Sequence, residues 1–206
     1  MTERIKIEVL KNDTVDALTA KLGDPESRPE AGSAAAASAA LASALLERAA
    51  REIAQGTESI EKLEWFVRNS EILRTYMIRL VDEDVKCRRP YLRALTEGDE
   101  HRIEAAGQTA VSICLEIVNM MGKALEMAKE LLPFADETAK FHLAESADLA
   151  YGASLAAGRY VLYMSSRSSD DTYRFVMRRE NELTMQSQKE AYQCVTAAAT
   201  AAQNER

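Results

Sequence analysis

Apolar side chains recur every three or four residues through the middle of the chain: Leu63, Phe66, Val67, Ser70, Leu73, Met77, Leu80, Val81, Asp84 and Val85 fall in one register. That is the spacing of one face of an α-helix, and it predicts a long helix from about Glu58 to the neighbourhood of Lys86. The same period links Ile103, Ala110, Ile113, Cys114, Ile117, Met121 and Leu125. A second helix is therefore expected from about Glu100 to Leu132, where Pro133 stops or kinks it. A third should cover roughly Asp136 to Ser165, with Ala144, Ala147, Ala150, Ala153, Ala156 and Ala157 as a thin contact surface. The last, more polar, runs from about Asp170 towards the C-terminal end and is expected to fray after Thr200. Only Lys6-Ile7-Glu8-Val9 alternates in the manner of a strand. The pattern predicts an all-α, up-and-down helical bundle.

One further helix is announced by its ends rather than by a stripe. Ser27-Arg28-Pro29-Glu30-Ala31-Gly32-Ser33 leads into a nearly unbroken alanine run to Ala44. Pro29 and Gly32 suit irregular backbone, Ser33 is expected to cap the first turn, and alanine has the best helix propensity. The exposed amides of such a start can receive a carboxylate or an electron-rich ligand group, or simply be satisfied by the cap. Gly23-Asp24-Pro25, Gly56, Gly98-Asp99 and Pro133 punctuate the remaining boundaries. Two alanine-rich helices imply close helix–helix contacts, inside one subunit or across a twofold axis.

Composition narrows the class. With 206 residues and 47% hydrophobic content, residues 1–206 are read as one domain with a sizeable core. A net charge of −7 argues against a nucleic-acid partner, and the cluster Lys86, Arg88, Arg89 and Arg93 is too short to reverse it. Met1 to Lys11 lacks a signal-peptide core, and Glu47, Arg48 and Arg51 interrupt the alanine run before it reaches membrane-spanning length. The expectation is a soluble cytoplasmic protein with no membrane partner. Cys87, Cys114 and Cys194 are odd in number and widely spaced. Reduced thiols and no metal site follow, with Cys114 and Cys194 expected as small apolar side chains.

Candidate chemistry centres on Asp82 and Asp84. Positions two apart on a helix point away from each other, so these carboxylates do not make a dyad. Asp84 lies on the apolar stripe and must be paired, protonated or facing a polar site; its alternative is a structural ion pair with Arg88 or a neighbouring helix. Asp82 is expected in solvent or at a cavity edge. His101, among charged residues, reads as a surface group. His142, between Phe141 and Leu143, is either a packed side chain or a general acid or base. Tyr151, Tyr160, Tyr163 and Tyr173 either line a pocket or pack at the bundle's end.

The motifs together resemble a known family. Pro29-Glu30-Ala31-Gly32-Ser33-Ala34-Ala35-Ala36 is similar to the Pro-Gly-Gly-Gly-Ser segment that opens an alanine- and leucine-rich helix in cyclodeaminase/cyclohydrolase proteins, the helical, folate-dependent group that includes the C-terminal half of formiminotransferase-cyclodeaminase and the bacterial methenyltetrahydrofolate cyclohydrolases. Thr14-Val15-Asp16-Ala17-Leu18 resembles the short helix preceding that segment, and Leu80-Val81-Asp82-Glu83-Asp84-Val85 the family's hydrophobic-Asp-Glu-Asp run. Glu30 and Ala31 depart from the first two glycines. Relatives carry a Ser-Asp pair before a second alanine-rich helix, where this chain reads Lys140-Phe141-His142-Leu143-Ala144-Glu145-Ser146-Ala147-Asp148; either His142 or Asp148 occupies that region.

The resemblance implies a homodimeric enzyme that opens or rearranges a methenyl or formimino group on tetrahydrofolate, with no tightly bound cofactor and a tetrahydrofolate derivative as the small-molecule substrate. Catalytic roles would fall to Asp84, Asp82 and His142. Substrate contacts would fall to Gly32, Ser33, Arg28, Arg88, Asp148 and Tyr151, with Arg89 and Arg93 as further cations for the folate tail. Two alternatives stay open: a divergent enzyme on the same fold cyclising, eliminating or hydrolysing another small molecule, and a non-catalytic helical dimer.

Overall fold

The computed structural model describes residues 9–27, 29–56 and 61–204. Most helices begin where a short polar side chain can take up first-turn amides. Thr14 accepts from the amide of Ala17 and opens α1 (Val15–Gly23). The alanine helix is α2 (Ala31–Gly56) and the long striped helix is α3 (Glu61–Glu97). Gly98, at φ 70°, turns the chain out of α3, and Asp99 accepts from Arg102 N to start α4 (Glu100–Leu131). A 3-10 turn at Leu132–Phe134 carries Pro133, after which Asp136 caps α5 (Glu137–Ser165). Asp170 receives the amides of Thr172 and Tyr173 at the head of α6 (Asp171–Asn204). These six α-helices, with no strand among the described residues, make an all-α fold.

Polar contacts between neighbours fix the topology. Ser33 meets Asp84 while Glu47 meets Arg74, so α2 and α3 are antiparallel. Tyr76 with Glu116 and Lys62 with Glu130 set α4 antiparallel to α3. Ser146 and His142 of α5 reach Ala42 and Glu52 of α2, and Gln188 of α6 donates to the Val118 carbonyl of α4. Phe66, Leu46, Met77, Ile117, Met121, Leu125 and Leu143 fill the centre. The two thin helices do meet closely. The Ser146 hydroxyl donates to the backbone carbonyl of Ala42 at 2.8 Å, a contact that larger side chains between α2 and α5 would prevent.

Four expectations need correcting. Helix α3 does not end near Lys86 but runs through Pro90 to Glu97. Pro90 forfeits a hydrogen bond to the Lys86 carbonyl, yet Tyr91 and Ala94 are buried and hold the following turns in place. The expected start at Glu58 lies outside the described residues, as do Lys6, Ile7 and Glu8 of the alternating segment. Helix α6 continues past Thr200 to Asn204. Of the inward residues foreseen, Ala156 is exposed, and Cys194 is exposed rather than an apolar filler; all three cysteines are free. No described helix is long and apolar enough to cross a membrane.

Candidate functional site

Helix α2 begins against the side of α3, and there the expected local cap is replaced by one from a distant part of the chain. Ser33 is a residue of α2, not its cap. Its amide and its hydroxyl both lie 2.9 Å from Oδ2 of Asp84, and the hydroxyl is also 3.1 Å from the Val81 carbonyl. Asp84 thus closes the start of α2 from across the bundle. It is fully buried, and its second oxygen, Oδ1, has no hydrogen-bond partner. Gly32 makes the approach possible. A Cβ there would stand 2.5 Å from the Asp84 carboxyl carbon, inside any van der Waals distance.

Burial pushes the Asp84 carboxyl above the usual carboxylate range; the Ser33 hydroxyl and the charge of Arg88 oppose that rise without cancelling it. Arg88, one turn further along α3 and 4% exposed, ion-pairs with Glu30 at 2.5 Å rather than with Asp84. The structural alternative for Asp84 is therefore a helix cap, not an Arg88 bridge. The same pair settles where Glu30 points, at the Arg88 guanidinium. Tyr160 of α5 and Cys114 of α4 share this electrostatic neighbourhood, and burial pushes each up to about 12, so both are neutral hydrogen-bonding groups near neutral pH. A cleft of about 420 Å³ opens at the same helix start, between Leu22, Pro25, Glu30 and Ala34.

The other expected residues lie elsewhere. Asp82 is not at a wet edge but 5% exposed, and its Oδ1 accepts the amides of Leu10 at 2.6 Å and Lys11 at 3.1 Å, pinning the 3-10 turn Leu10–Asn12 to α3. His142 is buried, with Nδ1 2.7 Å from Glu52, itself bonded to Arg48. Glu52 is 19 positions beyond Ser33 on α2, which at 1.5 Å per residue places His142 about 28 Å from Asp84. Asp148 is exposed and pairs with Tyr192, whose ring stacks on Tyr151 at 4.7 Å; both serve the α5–α6 contact. Arg28 lies outside the described residues. At about 100° per residue, Arg89 and Arg93 sit about 140° and 180° round α3 from Asp84, so neither faces it. Among the described residues no group of three or more His, Cys, Asp or Glu side chains is placed to hold a metal.

Tyr160 was legible only as one of four tyrosines, and Cys114 as a core position. A signal for Tyr160 exists in hindsight: it follows Ala153 and Ala157 at helical steps on the thin face of α5 that packs on α2.

This architecture defines a class: a six-helix, all-α protein in which a buried carboxylate on a long helix closes the start of an alanine-rich neighbour beside a glycine. A sequence profile of the formiminotransferase-cyclodeaminase family matches residues 14–183, and the chain belongs to that family. Its fold is similar to the crystal structure of formiminotetrahydrofolate cyclodeaminase from Thermotoga maritima, with a TM-score of 0.86 over 93% of this chain and 98% of that one, at 19% identity. No curated protein sequence matches the chain significantly.

Proposed function

We propose that the protein is a folate-linked one-carbon enzyme that opens or rearranges a methenyl or formimino group on tetrahydrofolate, with Asp84 as its base. The observation that carries this reading is the unpartnered Oδ1 of a fully buried Asp84. A cap needs one acceptor; a second carboxylate oxygen left without a donor costs about 1–3 kcal/mol and is retained where it has another task. Arg88 is neutralised by Glu30, so an ionised Asp84 leaves the locality net negative, which suits a cationic amidinium carbon. In a cyclohydrolase step, Asp84 takes a proton from water as the oxygen bonds to that carbon. The carbon–nitrogen bond then breaks and the departing nitrogen takes up a proton. In a cyclodeaminase step a folate nitrogen attacks the formimino carbon and ammonia leaves. In either case Tyr160, neutral at working pH, hands its hydroxyl proton to the departing nitrogen and regains the one that Asp84 took from the attacking water or amine. Substrate enters at the cleft beside Glu30.

The active form in this reading is a cytoplasmic homodimer, supported by Leu41, 60% exposed among the small side chains of Ala34, Ala37, Ser38 and Ala44 on the outer face of α2. The departure at Glu30 favours a second reading, a related reaction on another small cation, because its carboxylate occupies Arg88, which the folate reading had assigned to the substrate's anionic tail. Loss of methenyltetrahydrofolate absorbance tests both. Enzyme-dependent loss that falls at least 100-fold in Asp84→Asn, with the helical circular dichroism unchanged, supports the folate reading; an unaltered rate in the variant removes Asp84 from the chemistry. No acceleration by the native chain transfers the proposal to the second substrate class.

A further inference from the structure

A second polar feature lies round the other side of α3. A groove of about 730 Å³ runs between the C-terminal part of α3 and the first turns of α4, over a floor that includes Pro90 and Ala94. Lys86, Arg89, Arg93 and Arg102 line it against one lining carboxylate, Glu97. In a chain of net charge −7 this is a local inversion of sign. Like charges at helical spacing repel unless each has a counter-charge. Lys86 has Glu83 at 2.8 Å, and Arg102 has Glu97 at 3.0 Å and Asp99 at 3.4 Å. Arg89 and Arg93 have no carboxylate in ion-pair contact among the described residues, and the Arg89 Nε–H is sealed from solvent without an acceptor. A guanidinium without a carboxylate partner keeps its outer N–H groups available to an incoming anion.

We propose that this groove binds a small oligoanion carrying two or more phosphate or carboxylate groups, seated on Arg89 and Arg93. From Lys86 to Arg93 the helix rises about 10 Å, the span over which such groups meet successive cations. Because these side chains lie 140–200° round α3 from Asp84, the groove is a site separate from the one assigned to folate chemistry and stands whether or not that assignment holds. A small ligand fits better than a nucleic acid. Glu83, Glu97 and Asp99 flank the cations, so a phosphate backbone continuing beyond the groove meets carboxylates.

The test is calorimetric titration of the full chain with inorganic triphosphate and, separately, with citrate, each at low and at physiological salt. We expect one ion per chain, with affinity reduced about tenfold or more by the higher salt and by a similar factor in Arg93→Ala, an exposed position whose loss leaves the fold intact. Arg89→Lys, which keeps the charge but removes the planar donor, is expected to weaken binding with unchanged circular dichroism. Tighter binding of triphosphate assigns a phosphate ligand, and tighter binding of citrate a polycarboxylate. The proposal is overturned if neither ion binds at millimolar concentration, if both substitutions leave binding untouched, or if a short single-stranded oligonucleotide binds through the same arginines more tightly than triphosphate.

Discussion

Asp82 and Asp84 are two residues apart, both buried, and both accept backbone amides from a distant segment. They differ in what is left over. Asp82 spends one oxygen on two amides of the Leu10–Asn12 turn, whereas Asp84 turns an unpaired oxygen towards Gly32. Gly32→Ala is therefore expected to destabilise by about 1–3 kcal/mol through overpacking, although alanine within a helix ordinarily gains about 1 kcal/mol over glycine; urea denaturation reads the sign, and a gain would refute the close approach. The raised Asp84 carboxyl makes a second expectation. A carboxyl whose folded pKa lies above its unfolded value stabilises fully below the unfolded value, and that stabilisation is lost as pH rises through the folded one. Relative to Asp84→Asn, the native chain should lose stability with rising pH above the ordinary aspartate range, by about 1.4 kcal/mol for each unit separating the two values. Thermal melts of both proteins across pH 4–8 check this, and a constant difference would refute it. The inward placement of Asp84 was legible because it shares the stripe of Leu73, Met77 and Leu80. The partners of Asp82 and Ser33 were not, since each is about 50 to 70 residues away and leaves no periodic trace in the chain. Tyr151 and Tyr160, nine positions apart, face opposite sides of α5, and composition alone does not say which side meets the site.

At the scale of elements, boundaries were legible wherever a cap or a glycine carries them: Asp99, Asp136 and Gly98 stand where the helices change. Pro90 misled because proline's local cost was outweighed by the burial of Tyr91 and Ala94, a tertiary effect. The polar face of α6 hid its anchors in the same way. Asn181 and Gln188 are buried against Gly158 and Gly122, and Gln188 holds the Val118 carbonyl at 2.6 Å. Between α2 and α3 the anchor is Glu47, 8% exposed, which receives Arg74 at 2.6 Å and Arg51 at 2.7 Å. Burial works to raise its carboxyl, but these two arginines outweigh burial and hold it below the usual range. Its contribution is thus present at neutral pH and lost as pH falls. Glu47→Gln should cost about 1–2 kcal/mol at pH 7 and progressively less towards pH 3; an equal cost at both ends would show that packing, not charge, makes the contact.

For the molecule as a whole, the all-α bundle was legible from period alone, and the family from three short motifs in order. Assembly is a matter of surface. In the homodimer proposed above, Leu41 stands on the outer face of α2 beside Ala37, Ser38 and Ala44, so Leu41→Asp is expected to give a monomer of unchanged helicity, read by light scattering after size exclusion. A native chain already monomeric at micromolar concentration would refute the dimer. Helix α2 starts level with Asp84, while α3 runs on for about 20 Å more, carrying Leu92 and Leu95 at 39% and 43% exposure. The bundle is therefore expected to divide along its length into a slower and a faster part in amide exchange. Amide protons on the turns beyond α2, which of the two neighbours α2 and α4 pack on α4 alone, are expected to exchange faster than those beside α2. Asp84 lies at that frontier, so the seal over its carboxylate is expected to loosen before the bundle as a whole unfolds.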